Sequence, residues 1–259
     1  MTEVEITTPH HPLKAYVATP KGEGPWPGVI VLHDIFGLTR VTRGHADWIA
    51  EQGYLAIAPD LFSWDGRIRC IRTLMRDMAA RRGVSFDDVE AVRSWLVGRE
   101  DCTGKTGVIG FCGTGQFAIL LAAGHGFSAA APNYGPVPND IEAIMGGACP
   151  VVASYGGRDW TIRGGAARLK DALERNGIEN DVKEYPAAGH SFLDDHKGLI
   201  GILGAVIGAS YKEKEAADAR ARIRTFFAQH LGDGTVPAEE SRWTTGGRSP
   251  ARKGFGRGL

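Results

Sequence analysis

The sequence predicts an α/β fold, a mostly parallel central sheet with helices on both faces. Three observations predict it. Short apolar runs of strand length recur along the chain: GVIVLH at 28–33, YLAIAPD at 54–60, TGVIGF at 106–111, AAAPNYG at 129–135 and PVVASYGG at 150–157. These runs are continuous rather than alternating, the pattern of strands buried on both faces. Between them lie segments of helical period, which makes the connections crossovers and the strands parallel.

The elements follow in order. The opening EVEITTPHHPLKAYVATP, residues 3–20, reads as a two-stranded hairpin. The Pro-rich turn EGPWPG leads into the 28–33 strand. HADWIAEQG is a short helix ending in glycine, followed by the 54–60 strand. SFDDVEAVRSWLVGR, 85–99, is an amphipathic helix that Ser85 could cap, followed by the 106–111 strand. QFAILLAAGHG separates the next two strands. RGGAARLKDALERNGI is then a helix, ENDVKEYP a strand, and EAADARARIRTFFAQHL a terminal helix. No internal repeat is present. From Gly232 the character changes: the last stretch is rich in Gly, Arg, Ser and Pro without periodicity. The expected organisation is one domain over 1–231 and a flexible tail over 232–259.

Composition excludes several classes of function. Of 259 residues, 43% are hydrophobic and 23% charged, as in a globular protein with a sizeable core. Thirty basic residues balance thirty acidic ones, so nothing supports nucleic-acid binding, which needs a basic surplus. The most apolar segment, GLIGILGAVIGA at 198–209, is short of the roughly 20 residues a bilayer requires. It could be a lid, a dimer contact or an extra core helix. No basic region followed by an apolar core stands at the N-terminus, so the expected compartment is the cytoplasm. Cys70, Cys102, Cys112 and Cys149 form no metal-binding or redox pair and read as free thiols.

In open α/β sheets, reactive groups gather at the carboxyl ends of strands. His33 and Asp34 follow the first parallel strand, Cys112 follows the 106–111 strand, Asp159 follows the 150–157 strand and His190 follows ENDVKEYP. The order nucleophile, acid, histidine is that of the α/β-hydrolase arrangement, where a sharp Gly-flanked turn lifts the nucleophile above the sheet. In VIGFCGTG such a turn exposes Cys112 with a helix starting behind it, and the positive end of that helix favours a thiolate. Each residue alone has a plainer explanation. Cys112 could be inert packing, Asp159 a helix cap, His190 a loop residue and His33 a core histidine bonded to backbone. Their joint order and placement carry the hydrolase reading.

The combination of VIVLHDIFGLTR, HADWIAEQGYLAIAPDLF, GVIGFCGTG, GGRD and GHSF resembles the dienelactone hydrolase family over roughly residues 7–231. The resemblance implies Cys112 as nucleophile, His190 as base and Asp159 as its orienting acid, acting on small esters or lactones through a thioester. Two positions depart from the family pattern. Asp34 stands where the family has a glutamate that holds the thiol, and its reach is shorter by about one C–C bond, ~1.5 Å. Thr114 stands where the family has glycine two residues after the nucleophile, with Gly113 and Gly115 beside it. Asp34 is therefore a thiol-modulating candidate, or else a brace for its own loop.

The expected oxyanion donors are the backbone N–H groups of Ile35 and Gly113. Phe36, Trp64, Tyr134, Trp160 and Phe192 flank strand ends and are candidates for an apolar substrate wall. Arg67, Arg69, Arg72 and Arg76 follow the second parallel strand, where a cationic anchor for an acidic substrate could sit. The chemistry requires no cofactor and no metal. The expected partner is a small ester or lactone, with no nucleic acid and no membrane, and the chain acting as monomer or homodimer. Two other readings compete: a non-catalytic binding protein on the same fold, motivated by Asp34 and Thr114, and a thiol redox sensor, disfavoured by the lack of a resolving cysteine near Cys112.

Overall fold

A computed structural model describes residues 2–196 and 210–232. The chain opens with the predicted hairpin, β1 (Thr2–Thr7) and β2 (Pro12–Ala18), paired antiparallel. There follow β3 (Trp26–Leu32), α1 (Arg40–Glu51), β4 (Leu55–Pro59), α2 (Arg67–Ala80), α3 (Val84–Val97), β5 (Cys102–Phe111) and α4 (Gly113–Leu121). The second half contains β6 (Ala129–Asn133), the short α5 (Ile141–Ile144), β7 (Val151–Gly156), a 3-10 turn (Trp160–Ile162), α6 (Gly165–Arg175), β8 (Asn180–Tyr185) and α7 (Glu213–His230). The strands form one sheet in the order β1-β2-β4-β3-β5-β6-β7-β8. β2 is antiparallel to β4, and β4 through β8 run parallel.

The continuous apolar runs are explained by burial from both sides. Val29 to Leu32, Leu55 to Ala58, and Val108 and Ile109 are all fully buried. Two glycines show which helices cover which face. Gly28 pairs with Thr106, so it shares that residue's face, and Gly107 faces the opposite way. A Cβ on Gly28 would strike Leu96 of α3, and one on Gly107 would strike Leu231, just after α7. α3 and α7 therefore cover opposite faces. No helix among the described residues is long and apolar enough to cross a membrane. The 198–209 segment and the tail beyond Gly232 lie outside the described residues.

Two features differ from the sequence expectation. α2 was not anticipated, because its buried stripe consists of Cys70, Thr73, Leu74, Asp77 and Met78 while Ile68 and Met75 face outward. Mixed polarity on the inner face blurs the apolar period that marks a helix. Ser85 does not cap α3. The residue before that helix is Gly83, without a side chain, and the orphan Ser85 N–H donates instead to Oδ2 of the buried Asp77, at 2.9 Å. The cap of α3 thus comes from the preceding helix.

Asp77→Ala should cost about 1–3 kcal/mol, since it leaves a buried N–H without its acceptor. Ser85→Ala should change stability by less than about 0.5 kcal/mol. Urea unfolding of both variants measures the difference, and equal losses would return the cap to Ser85.

Candidate active site

Cys112 lies between the last residue of β5 and the first of α4, with φ 58° and ψ −126°. A non-glycine residue in this region is strained by about 1–3 kcal/mol and persists only where its surroundings hold it. Here the Cys112 N–H donates to the Asn133 carbonyl at 3.1 Å, and its own carbonyl accepts from the Gly115 N–H at 2.9 Å. The close approach of α4 to β6 is made by Gly115, where a Cβ would come within 2.6 Å of the Asn133 carbonyl oxygen. Thr114 points the other way and is buried. Its hydroxyl accepts from the Phe111 N–H at 3.1 Å and donates to the His33 carbonyl at 2.9 Å, tying the elbow to the end of β3. Thr114 is thus accommodated by hydrogen bonds of its own, while the close contact with β6 falls at Gly115.

His190 and Asp159 come to Cys112 on the loops after β8 and β7. The two loops are pressed together at Gly156, where a Cβ would sit 2.3 Å from the Gly189 carbonyl oxygen. The Arg158 N–H donates to the Ala188 carbonyl at 2.9 Å across the same seam. His190 Nδ1 donates to Asp159 Oδ2 at 2.5 Å. Asp159 Oδ1 accepts from the Thr161 N–H and hydroxyl at 3.0 and 2.6 Å, so the residue also caps its own 3-10 turn. Burial alone would raise the Asp159 pKa, and the hydrogen bonds from His190 and Thr161 outweigh it, holding the carboxyl below its usual range. For His190, burial disfavours the cation, but hydrogen bonds to Asp159 and to Cys112 more than reverse this and carry it up to about 10.

A second polar cluster, not foreseen from the sequence, stands beside this group. Asp194, four residues after His190, accepts from the fully buried Tyr134 hydroxyl at 2.7 Å and lies 2.8 Å from His45 Nε2. The His45 ring stacks on Phe111 at 4.1 Å, and the Tyr134 ring meets His190 edge-on at 5.3 Å. The cluster therefore braces both the elbow and the His190 loop. The two carboxylates in GHSFLDD were its sequence signal. Asp34 Oδ1 accepts from the Phe36 N–H at 2.7 Å, and Oδ2 lies 3.1 Å from His196 Nε2. Both oxygens of Asp34 thus have partners other than the thiol, and the carboxylate closes its own loop. Asp34, Asp194 and His196 are the one group among the described residues whose side chains could together reach a metal ion. The lone pairs that face inward are already engaged by Tyr134, His45 and Phe36.

The wall candidates divide. Phe36 is half-exposed and meets the His196 ring edge-on at 5.1 Å, while Trp160 is 77% exposed on the turn after Asp159. Trp64 stacks on His11 of the β1–β2 turn at 4.5 Å. Tyr134 and Phe192 are corrections: both are fully buried in the core rather than on an open wall, Tyr134 with its hydroxyl on Asp194 and Phe192 between Tyr134 and Tyr185. Among the arginines, Arg69 pairs with Asp65 and Arg76 with Asp77. Arg67 donates to the Ile35 carbonyl at 2.7 Å and, with Phe36, Leu38, Asp60 and Phe62, lines a cavity of about 240 Å³. All four cysteines are free, and burial pushes the Cys149 thiol up to about 12.

The sheet order, the elbow and the loops that meet above it define an α/β-hydrolase. The model of the family described as "Dienelactone hydrolase family" matches residues 13–231. The chain belongs to that family and is a hydrolase of its type. A Salmonella typhimurium protein named "Putative carboxymethylenebutenolidase" is 30% identical over 85% of this chain and 84% of its own length. The "Carboxymethylenebutenolidase" of Rhodococcus opacus is 30% identical over 64% of this chain and 69% of its own. The crystal structure of a "Putative Dienelactone Hydrolase from Klebsiella pneumoniae" is similar with a TM-score of 0.72 and 29% identity, covering 88% of this chain and 98% of the other.

Burial and the neighbouring charge of Asp194 push the Asp34 carboxyl up to about 6, against the opposing pull of the Phe36 N–H and of His196 and His45. A carboxyl raised on folding favours the folded state when protonated. That contribution is complete below about pH 4 and is lost as pH rises through about 6. Asp34→Asn should therefore raise Tm at about pH 8, by roughly 3–8 °C if most of a ~3 kcal/mol penalty is relieved. Near pH 4 the variant and the parent should melt together. A gain of equal size at both values, measured by differential scanning calorimetry, would remove Asp34 titration as its cause.

Proposed function

We propose that the protein hydrolyses small carboxylic esters or lactones through a Cys112–His190–Asp159 triad and a thioester at Cys112. The observation that carries this reading is the placement of His190, hydrogen bonded to Asp159 at 2.5 Å and near enough to Cys112 for the thiol to raise its pKa. A thiolate at Cys112 attacks the carbonyl carbon, and the carbonyl electron pair moves onto oxygen. The N–H groups of Ile35 and Gly113 receive this oxyanion. Neither N–H has an acceptor among the described residues, and that of Gly113 is an orphan of the helix start. Collapse of the adduct expels the alcohol oxygen, which takes the proton from protonated His190. The neutral imidazole then removes a proton from water, hydroxide attacks the thioester, and the thiolate leaves with the acid. Asp159 fixes the Nδ1–H tautomer throughout and steadies the cation. Amides are poor substrates, because an amine leaves less readily than a thiolate from the uncharged adduct.

Arg67 is the arginine whose guanidinium lies against the Ile35 loop, which makes it the candidate anchor for an acidic lactone. Asp34 serves this scheme by closing the turn that carries Ile35. The binding-protein alternative loses its motive where Thr114 and Asp34 have structural partners of their own.

Cys112→Ala should abolish turnover of an aryl ester, and Cys112→Ser should lose most of it, because a hydroxyl needs more base assistance than a thiol. Retention of more than a trace by the alanine variant would reject the nucleophile. His190→Ala should let acyl-enzyme accumulate on Cys112, read as an intact-mass increment, since water depends on the base more than the thiolate does. Turnover at the parent rate would remove His190 from the mechanism. The His190 proton given to the leaving group is lost near pH 10, so kcat/KM should show an alkaline limb there. Asp159→Asn should lower kcat by about 10²–10⁴ and bring that limb to lower pH. An unmoved limb would assign the acid elsewhere.

A further inference from the structure

We infer that His33 is a positioning residue for the oxyanion hole, holding the peptide group between Asp34 and Ile35 so that the Ile35 N–H stays aimed at the reacting oxygen. The inference rests on the proposed hole and adds what orients it. His33 is fully buried at the end of β3. Its Nε2 receives the Leu61 N–H at 3.0 Å, and a ring nitrogen that accepts carries no proton. The proton is therefore on Nδ1, 2.7 Å from the Asp34 carbonyl oxygen, and this contact is a donated hydrogen bond. Burial lowers the His33 pKa and keeps the ring in this neutral form. Asp60 Oδ1 is 3.8 Å from Nε2, beyond hydrogen-bond reach, and is already held by the Phe62 N–H at 3.1 Å.

The Asp34 carbonyl and the Ile35 N–H belong to one planar trans peptide, so they point in opposite directions. The carbonyl is drawn toward the buried ring and also accepts from the Gly37 N–H at 3.1 Å. The Ile35 N–H must then face away from the core. It has no acceptor among the described residues, and Ile35 itself is 51% exposed. A hydrogen bond at the carbonyl end of an amide also polarises its N–H and strengthens it as a donor. The preceding carbonyl, that of His33, accepts the Thr114 hydroxyl at 2.9 Å. Thr114 is the neighbour of Gly113, which supplies the other N–H. The two donors are thus tied together: the threonine sets their separation and the histidine sets the tilt of one of them. Loss of the ring leaves the Gly37 bond in place, so the loop survives while the peptide is free to rock.

The test uses acylation of Cys112 by an aryl ester, affinity for an aldehyde that adds reversibly to the thiol, and alkylation of the thiol by iodoacetamide. The first two create an oxyanion; the third does not. His33→Leu should slow acylation about 10–100-fold, less than the 10²–10³ lost when a donor is removed outright. The loss should fall on kcat rather than KM, aldehyde affinity should weaken by a similar factor, and alkylation should keep its rate. His33→Asn, whose amide nitrogen lies near the place of Nδ1, should recover most of the activity. His33→Gln, whose amide lies near Nε2, should not, and this pair decides the matter even if the leucine variant does not fold. Parallel loss of alkylation and acylation would overturn the inference, as would an active glutamine variant. A parent enzyme that forms no acyl-enzyme on Cys112 overturns the hydrolase mechanism and this inference with it. A parent that acylates normally while every His33 variant does the same overturns this inference alone.

Discussion

The site depends on one backbone constraint: Cys112 must hold a conformation that L-residues avoid. Nothing in the cysteine itself favours φ 58°. The conformation is imposed from outside, by Asn133 on one strand, by the first turn of α4, and by Thr114 bonded across to β3. Each contact comes from a different element, so the turn cannot relax without unpairing buried backbone groups, at a cost above the strain it would release. The same contacts place the Gly113 N–H beside the thiol and fix the elbow relative to the chain leaving β3. Strain at one residue is thereby converted into fixed positions for groups from three strands.

Charge is arranged around this turn with little room for solvent to correct it. Asp159 is buried but receives hydrogen bonds on both oxygens, so it remains a carboxylate and holds His190 as a cation. Asp194 is likewise supplied with two partners, Tyr134 and His45. Asp34 is less well matched, facing the negative Asp194 with one N–H and the edge of His196 for compensation. The contrast between Asp159 and Asp34 has a simple origin: burial raises both carboxyls, and only at Asp159 do hydrogen bonds outweigh it. The weakest of the three therefore belongs to the loop beneath the proposed oxyanion hole, where protonation would be felt by Phe36 first.

Much of this was legible in the sequence, and the reasons are specific. The central strands could be read because burial on both faces demands unbroken apolar runs, and β3, β4 and the second half of β5 consist of little else. The order of Cys112, Asp159 and His190 could be read because the first two stand just beyond such runs and the third follows the strand at ENDVKEYP. α2 was hidden because Asp77, Thr73 and Cys70 face inward, and Asp77 is there to cap another helix. Tyr134 and Phe192 lie in the core rather than on a wall because position near a strand end does not say which way a ring points. The Tyr134–Asp194–His45 cluster could not be assembled, since its members are up to 149 residues apart and no spacing in the sequence links them. His33 showed a plain core histidine, and that description holds: it is bonded to backbone. What the sequence could not supply is which peptide it bonds.

Two of the other cysteines show that placement rather than residue type sets the proposed nucleophile apart. Cys149 is surrounded by apolar groups, and its thiol is pushed to about 12, where it stays protonated and inert. Burial raises Cys70 as well, and its Sγ–H donates to the Asp65 carbonyl at 3.1 Å, a bond that a thiolate could not make. Cys112 alone among these has an imidazole near enough for the two groups to shift each other's charge, with a carboxylate behind that imidazole. The elbow explains how such company is achieved. A cysteine in ordinary extended backbone at the end of β5 would direct its side chain into the packed faces of the sheet, as the neighbouring Phe111 does. The reversed φ turns it up and out at the carboxyl edge, where the loops of β7 and β8 converge. The strained residue and the proposed nucleophile are the same because the strained turn is what brings the thiol toward the histidine.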